Sequence, residues 1–304
     1  MPVRNRQLRV NALNMAIVDP SSHNKAEKYI ELMKALYGLE KVVSLRGNRS
    51  MTIGSMRADD HDPKILRGVL YGFVNIDHMA WFNLLQNRPA SDEELGQIVV
   101  PEGIAANYRA FDYEFHSESH TLVFVAHEGK ANVSALSVRY VFGQLCKEPK
   151  IVERFGDVNV SVAQEPEALD HILDAEDLRA ISIVVRRPNA GLSGFEPDFE
   201  KELEKLGASE AHVDYKAATK ERLVPDEALR TAAKVALRNG VVDATIRHDG
   251  ITEHVSTERF PIGETVKYDP ATESRFLAIR RAAEKIIARL KKLMTGNATT
   301  KDNT

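Results

Sequence analysis

The chain is expected to fold as a mixed α/β protein of the α+β kind: open, mostly antiparallel sheets, helices packed against them, and a long C-terminal helix. Three observations lead there. Strand-like runs such as "ILRGVLYGFVNI" (65–76) and "AISIVVRRP" (180–188) are rich in β-branched and aromatic residues. Asp249-Gly250 lies between two alternating runs, a strong short-range hairpin signal. From Ala271 to Met294, apolar residues recur at alternating three- and four-residue spacing, the period of an amphipathic helix.

In chain order, Leu8 to Val18 reads as a strand, followed by a helix over Lys25 to Tyr37 that Gly38 closes. Lys41 to Arg57 and Ile65 to Ile76 are strand-like, with "RADDHDPK" as the loop between them. The acidic connection Trp81 to Ala105 marks a substructure boundary near 85–105. "FDYEFH" and "TLVFVAHE" form a hairpin around Ser117-Glu118-Ser119. A helix over Ser134 to Cys146, a strand at Val158 to Val162 and a helix near Pro166 to Ala175 follow, and then the strand "AISIVVRRP". Phe195 to Leu206 is a charged helix and Ala211 to Lys216 an edge strand. Pro225, Asp226 and Glu227 start a further helix that Asn239-Gly240 stops. These elements divide into an N-terminal part (1–185), a C-terminal part (186–294) and a disordered tail (295–304).

The chain has 304 residues, 43% of them apolar, enough for one large domain or two ordinary ones. A net charge of −3 excludes a general polycation, so any polyanion-binding surface must be local. The single cysteine, Cys146, rules out a disulfide framework and a Cys-rich zinc site, and fits a reducing cytoplasm. No apolar run reaches the length of a membrane span, and the N-terminus lacks a signal-peptide core. No cofactor motif appears: "GNRSMTIGS" has neither the Lys nor the context of a P-loop.

Positive charge nonetheless concentrates late in the sequence. In the Asp249-Gly250 hairpin, alternation puts Val242, Ala244, Ile246, Ile251 and Val255 on one face, with His248 and Glu253 at its edge. Asp243, Thr245, Arg247, Thr252, His254 and Ser256 share the other face. The two histidines point opposite ways, which argues against a shared metal. A guanidinium among hydroxyls suits a phosphate, although a solvated outer face has the same composition. On the preceding helix, Arg230, Lys234 and Arg238 recur at four-residue spacing and form a basic stripe. The last helix carries Arg275, Arg280, Arg281, Lys285, Arg289, Lys291 and Lys292. The expectation is that stripe and hairpin face a nucleic-acid backbone together, with Arg247, His248, Arg230, Lys234, Arg238, His254 and Thr252 in contact. The apolar seam of the last helix is the expected dimer contact.

The stretch Val242 to Ser256 resembles the RexA family of phage-exclusion DNA-binding proteins, which work with a membrane partner. There a strand with an exposed Arg runs into an acidic turn with Gly, then Ile, then Thr-Glu-His. Here those features stand as Arg247, Asp249-Gly250, Ile251 and Thr252-Glu253-His254. The match covers about fifteen residues of this chain, and element order extends it loosely from Phe111 onward. The resemblance implies a homodimer that binds double-stranded DNA without sequence preference, with Arg247 on the backbone and a membrane-protein effector as partner. Asp249 stands where the family has a second basic residue, and the turn is shorter.

The competing reading is a metal-dependent nuclease using Asp59, Asp60, His61 and Asp62 to hold Mg²⁺. His116 and His120 flank a hairpin turn without an obvious third ligand, and His23 precedes a helix where a general base is one option. Cys146 ends an apolar helix and reads as core.

Overall fold

The longest strand, β1 (Arg6–Ile17), is covered on both sides. Leu8, Val10 and Ala12 enter one core and Leu13, Met15 and Ile17 another, so the strand reads as a nearly continuous apolar run. The computed structural model describes residues 5–18, 26–76, 79–186, 203 and 205–295. After β1 come α1 (Ala26–Gly38), β2 (Val43–Ser44), β3 (Arg49–Ala58) and β4 (Ile65–Val74). The short β5 (Phe82–Asn83), β6 (Arg88–Pro89) and α2 (Asp92–Leu95) precede β7 (Ala106–His116), β8 (Thr121–Glu128) and β9 (Ala131–Asn132). The middle of the chain holds α3 (Ala135–Cys146), α4 (Pro149–Phe155), β10 (Val158–Val162), α5 (Pro166–Leu173) and β11 (Leu178–Arg186). The last elements are β12 (Glu210–Lys216), α6 (Glu227–Asn239), β13 (Gly240–His248), β14 (Ile251–Ser256), a 3-10 turn at Thr257–Arg259, β15 (Gly263–Tyr268) and α7 (Arg275–Thr295).

Every strand pairing among the described residues is antiparallel, as expected for the α+β class. The large sheet runs β10-β1-β8-β7-β4-β3-β2, with β15 beside the first half of β1 and β9 beside β8. α1, α3 and α4 cover one face, where Tyr29, Leu32, Phe142 and Ile151 pack on Leu66, Phe115 and Phe124. α7 covers the other. The second sheet runs β12-β11-β13-β14, and α5 and α6 cover one of its faces through Leu169, Ile172, Ala233 and Ala236.

Packing does not follow the expected split after residue 185. β11 already belongs to the second sheet, and β15 and α7 return to the first. The connection around 85–105 is no boundary either, because the strands on its two sides, β4 and β7, pair directly from Ile65↔His116 to Val74↔Ala106. It is an excursion from one strand to its neighbour. The expected strand from Lys41 to Arg57 is two strands, parted by a turn at Gly47 and Asn48, both at positive φ. Pro225 precedes α6, whose N-cap is Asp226, with its side chain accepting from the Leu229 N–H at 2.8 Å. Gly240 opens β13 with no turn between, because a Cβ there would lie 1.8 Å from the Val184 carbonyl oxygen. The expected helix Phe195–Leu206 lies outside the described residues except for Leu203, Lys205 and Leu206, as does the tail beyond Thr295.

The apolar seam of α7 is consumed inside the molecule: Ile279, Ala283 and Ile286 are fully buried against β1, β8 and β15. It is therefore not the free dimer contact expected of it. The polar positions that α7 also covers are the more telling. On β7, Phe111, Tyr113 and Phe115 enter the first core, so Asp112, Glu114 and His116 point toward α7. Glu114 is fully buried. Arg280 meets it with two hydrogen bonds of 2.8 and 3.1 Å and also lies 3.1 Å from Asp59. Arg275 bridges Asp112 and Glu128 at 2.6 and 2.9 Å. Burial works against the charge on Glu114, but hydrogen bonds from His116 and Arg280 and the Arg280 charge outweigh it and hold the carboxyl below its ordinary range. Arg280→Met should therefore cost about 3–5 kcal/mol, the penalty for stranding a buried charge. Urea unfolding at neutral pH checks this; a loss under 1 kcal/mol would show that Glu114 has other compensation.

Candidate nucleic-acid interface

The β13–β14 hairpin has the anticipated turn and register. Asp249 and Gly250 have φ of 48° and 81°, the pair of left-handed residues that a two-residue I′ turn requires. His248 pairs with Ile251, Arg247 with Thr252, Ile246 with Glu253 and Thr245 with His254. Ala244, Ile246 and Val255 are buried under α5 and α6, while Arg247, Thr252 and His254 stand exposed on the open face. Thr245 Oγ1 and His254 Nδ1 are 3.0 Å apart, which fixes the imidazole against the sheet.

The open face is wider than the hairpin. Through β11 and β12 it includes Ser182, which pairs with both Asp243 and Asp214, and Ala180, which pairs with Lys216. Together with Thr245, His254, Ser256 and Arg259 these residues line a shallow concavity of about 420 Å³. Arg259 Nη1 donates to the His254 carbonyl at 3.4 Å. Arg247 follows Thr245 on the same face toward the turn, and no carboxylate pairs with it among the described residues. The face thus offers Lys216, Arg247 and Arg259 with hydroxyls between them, but Asp214 and Asp243 also stand there and weaken its field.

The stripe on α6 does not join this face. Ala233 and Ala236 seat the helix on the covered side of the sheet, against Ile183, Val242 and Ala244. The sheet therefore separates Arg230 and Lys234 from Arg247, and the expected single wall of cations does not form. Helical spacing predicts a stripe along the helix, but nothing in it specifies which side of the sheet the helix takes. Arg230 is engaged at the end of α5, donating to Asp174 at 2.9 Å and to the Leu173 carbonyl at 3.3 Å. Lys234 is exposed, and the Arg238 side chain lies outside the described residues. His248 is on the covered-face side of the hairpin edge, 80% exposed and 3.3 Å from Asp249. Arg247, Thr252 and His254 thus come together, and Arg230, Lys234 and His248 do not join them. Lys216 and Arg259 were missed: only cross-strand pairing through β11 brings Lys216 beside the hairpin, and only the 3-10 turn after β14 folds Arg259 back onto it; the alternation in "EAHVDYK" marks Lys216 as polar but not its neighbours.

The cations of α7 are also committed. Besides Arg275 and Arg280, Arg281 lies 3.3 Å from Glu273, Lys285 2.7 Å from Glu264 and Arg289 2.5 Å from Glu165.

The Asp59 loop is equally occupied. Asp59 is buried, accepts from the His61 and Asp62 N–H groups at 3.0 and 3.2 Å, and lies 3.1 Å from both Arg67 and Arg280. Burial opposes its ionisation, yet these N–H groups and guanidinium charges outweigh burial and hold its carboxyl below the usual range. Asp60 pairs with Arg67. A cation there would have to displace two guanidinium groups, and no group of three His, Cys, Asp or Glu able to hold a metal forms among the described residues.

The model of a family described as a domain of unknown function, DUF4747, matches residues 6–284. The chain belongs to the DUF4747 family. The matched stretch includes both sheets, the hairpin and the first half of α7, so the DUF4747 fold comprises the whole arrangement rather than one sheet of it. No curated protein matches the chain. No helix among the described residues is long and apolar enough to cross a membrane.

The remaining candidates are structural. Burial pushes the Cys146 thiol up to about 12, which leaves it unreactive. His116 lies 3.3 Å from Glu114, while His120 is buried and stacked on Tyr29 with ring centroids 3.8 Å apart. His23 lies outside the described residues. Burial lowers His120 from 6.5 to about 4, so its stabilising contribution is complete above 6.5 and lost as pH falls toward 4, as the unfolded chain takes the proton first. His120→Asn, which tolerates the φ of 53° there, should remove about 3 kcal/mol of acid destabilisation across that range, measured by urea unfolding against pH. Identical pH dependence in both proteins would exclude His120 as the cause.

Proposed function

We propose that the chain binds the phosphate backbone of double-stranded DNA without reading its sequence, through the open face of the second sheet. The observation that carries this reading is Arg247. It is exposed on a polar face beside Thr252 and His254, with no carboxylate partner among the described residues, whereas arginines such as Arg67, Arg230, Arg275, Arg280 and Arg289 are paired. A guanidinium with short hydroxyl and imidazole neighbours is the donor set that phosphate oxygens accept from. Phosphate contacts of this kind fix a protein on the duplex without carrying sequence information.

The likeness of Val242–Ser256 to RexA supports the rest of the proposal: a homodimer, in the cytoplasm, acting in phage exclusion or antiphage defence with a membrane-protein effector as partner. Dimerisation adds a second Arg247 and raises a weak single-site affinity by avidity. The nuclease alternative gains no support from the Asp59 loop, where both paired carboxylates are consumed by arginines.

Binding to labelled duplex, single strand and RNA at two salt concentrations tests the proposal. The duplex should shift intact in the presence of Mg²⁺, and Arg247→Ala should lower its affinity and reduce the salt slope by about one unit, the loss of one phosphate contact. A wild-type slope in the variant would remove Arg247 from the interface; cleavage abolished by Asp60→Ala would replace the proposal with the nuclease.

A further inference from the structure

Where β3, β4 and β7 pass beside the start of α3, the large sheet leaves a cavity of about 280 Å³. Its inner wall is apolar, with Met51 and Phe111 both buried. Its rim is polar and carries Arg49, Arg109, Asn107 and Asn132. The volume is close to the lower end of small-molecule sites, about 300 Å³, and suits a ligand of single-nucleotide size.

The two arginines are braced by backbone. Arg49 Nε donates to the Arg46 carbonyl at 3.2 Å, and Arg109 Nη1 to the Lys130 carbonyl at 3.4 Å. Each keeps its other N–H groups available, and neither pairs with a carboxylate among the described residues. The same holds for Arg46 and Lys130, whose backbones border the rim. Asn107 has a φ of 52°, a left-handed conformation that asparagine tolerates better than most residues.

We propose that this cavity binds a nucleoside monophosphate, with Arg49 and Arg109 on the phosphate and the base against Met51 and Phe111. A phosphate monoester carries about −1.5 to −2 charge at neutral pH, which matches two guanidinium groups; a carboxylate would leave one unmatched. An aromatic ring and a thioether are good partners for a flat heterocycle. The amides of Asn107 and Asn132 both donate and accept, as the edges of a base or ribose require. The site is on the large sheet and shares no residue with the Arg247 face, so each proposal stands or falls without the other.

Titration calorimetry of the full chain with AMP, adenosine and inorganic phosphate at low salt tests it. AMP should bind at least about tenfold more tightly than either fragment, and Arg49→Gln or Arg109→Gln should each weaken AMP about tenfold or more, the scale of a lost charge-assisted hydrogen bond. Both positions are on the rim, so the variants should melt as the wild type does, and Arg247→Ala should leave AMP affinity unchanged. Absence of AMP binding at millimolar concentration, or unchanged affinity in both rim variants, overturns the site. Phosphate binding as tightly as AMP overturns the role of the apolar wall, and adenosine doing so overturns that of the arginines.

Discussion

The acidic stripe that β7 turns toward α7 governs much of this molecule. Asp112, Glu114 and His116 occupy the positions where a strand buried on both faces would ordinarily carry aliphatic side chains, and Glu114 has no exposure at all. A carboxylate so placed persists only with a cation held against it. That cation is Arg280, which also serves Asp59 at the end of β3; through Asp59 and Arg67 the arrangement fixes the β3–β4 loop. Arg67 in turn stacks over the Phe276 ring, 5.2 Å from its centroid, so charge and packing on α7 reinforce each other. The long helix is held by its apolar seam and by guanidinium counter-ions at once.

That constraint changes the meaning of the chain's charge. Cations concentrated near the C-terminus resemble a polyanion-binding surface, but along α7 most have counter-ions on the sheet, on β15 or just before α5. At the two candidate sites the positive groups are few and local: Lys216, Arg247 and Arg259 by the open face of the second sheet, tempered by Asp214 and Asp243, and the arginine rim of the cavity on the first. Modest local positive sites fit the net charge of −3 better than one large basic wall would.

How far the sequence revealed this depends on whether the signal was local. The hairpin was readable down to its register, because Asp249-Gly250 dictates the turn and alternation dictates the faces. The α3 and α5 helices were legible from Ser134 and Pro166 at their starts. The placement of α6 was not, since its apolar side fits either face of a sheet and only the β11–β13 arrangement decides. "FDYEFH" misleads for the same reason: its alternation is that of a half-solvated strand, and the helix that dries its polar side lies about 160 residues further on. β15 escaped notice because "GETVKY" has only Val266 and Tyr268 as buried apolar positions, and so short a run looks like a loop until β1 supplies a partner.

The central claim is that nucleic acid meets the β13–β14 face while α7 serves only as an internal counter-ion. Hydrogen–deuterium exchange of the full chain, with and without a short duplex, tests it most directly. The account predicts slower exchange in Gly240–Ser256 on adding duplex and no change across Arg275–Leu293. Protection of α7 with an unaffected hairpin would contradict it.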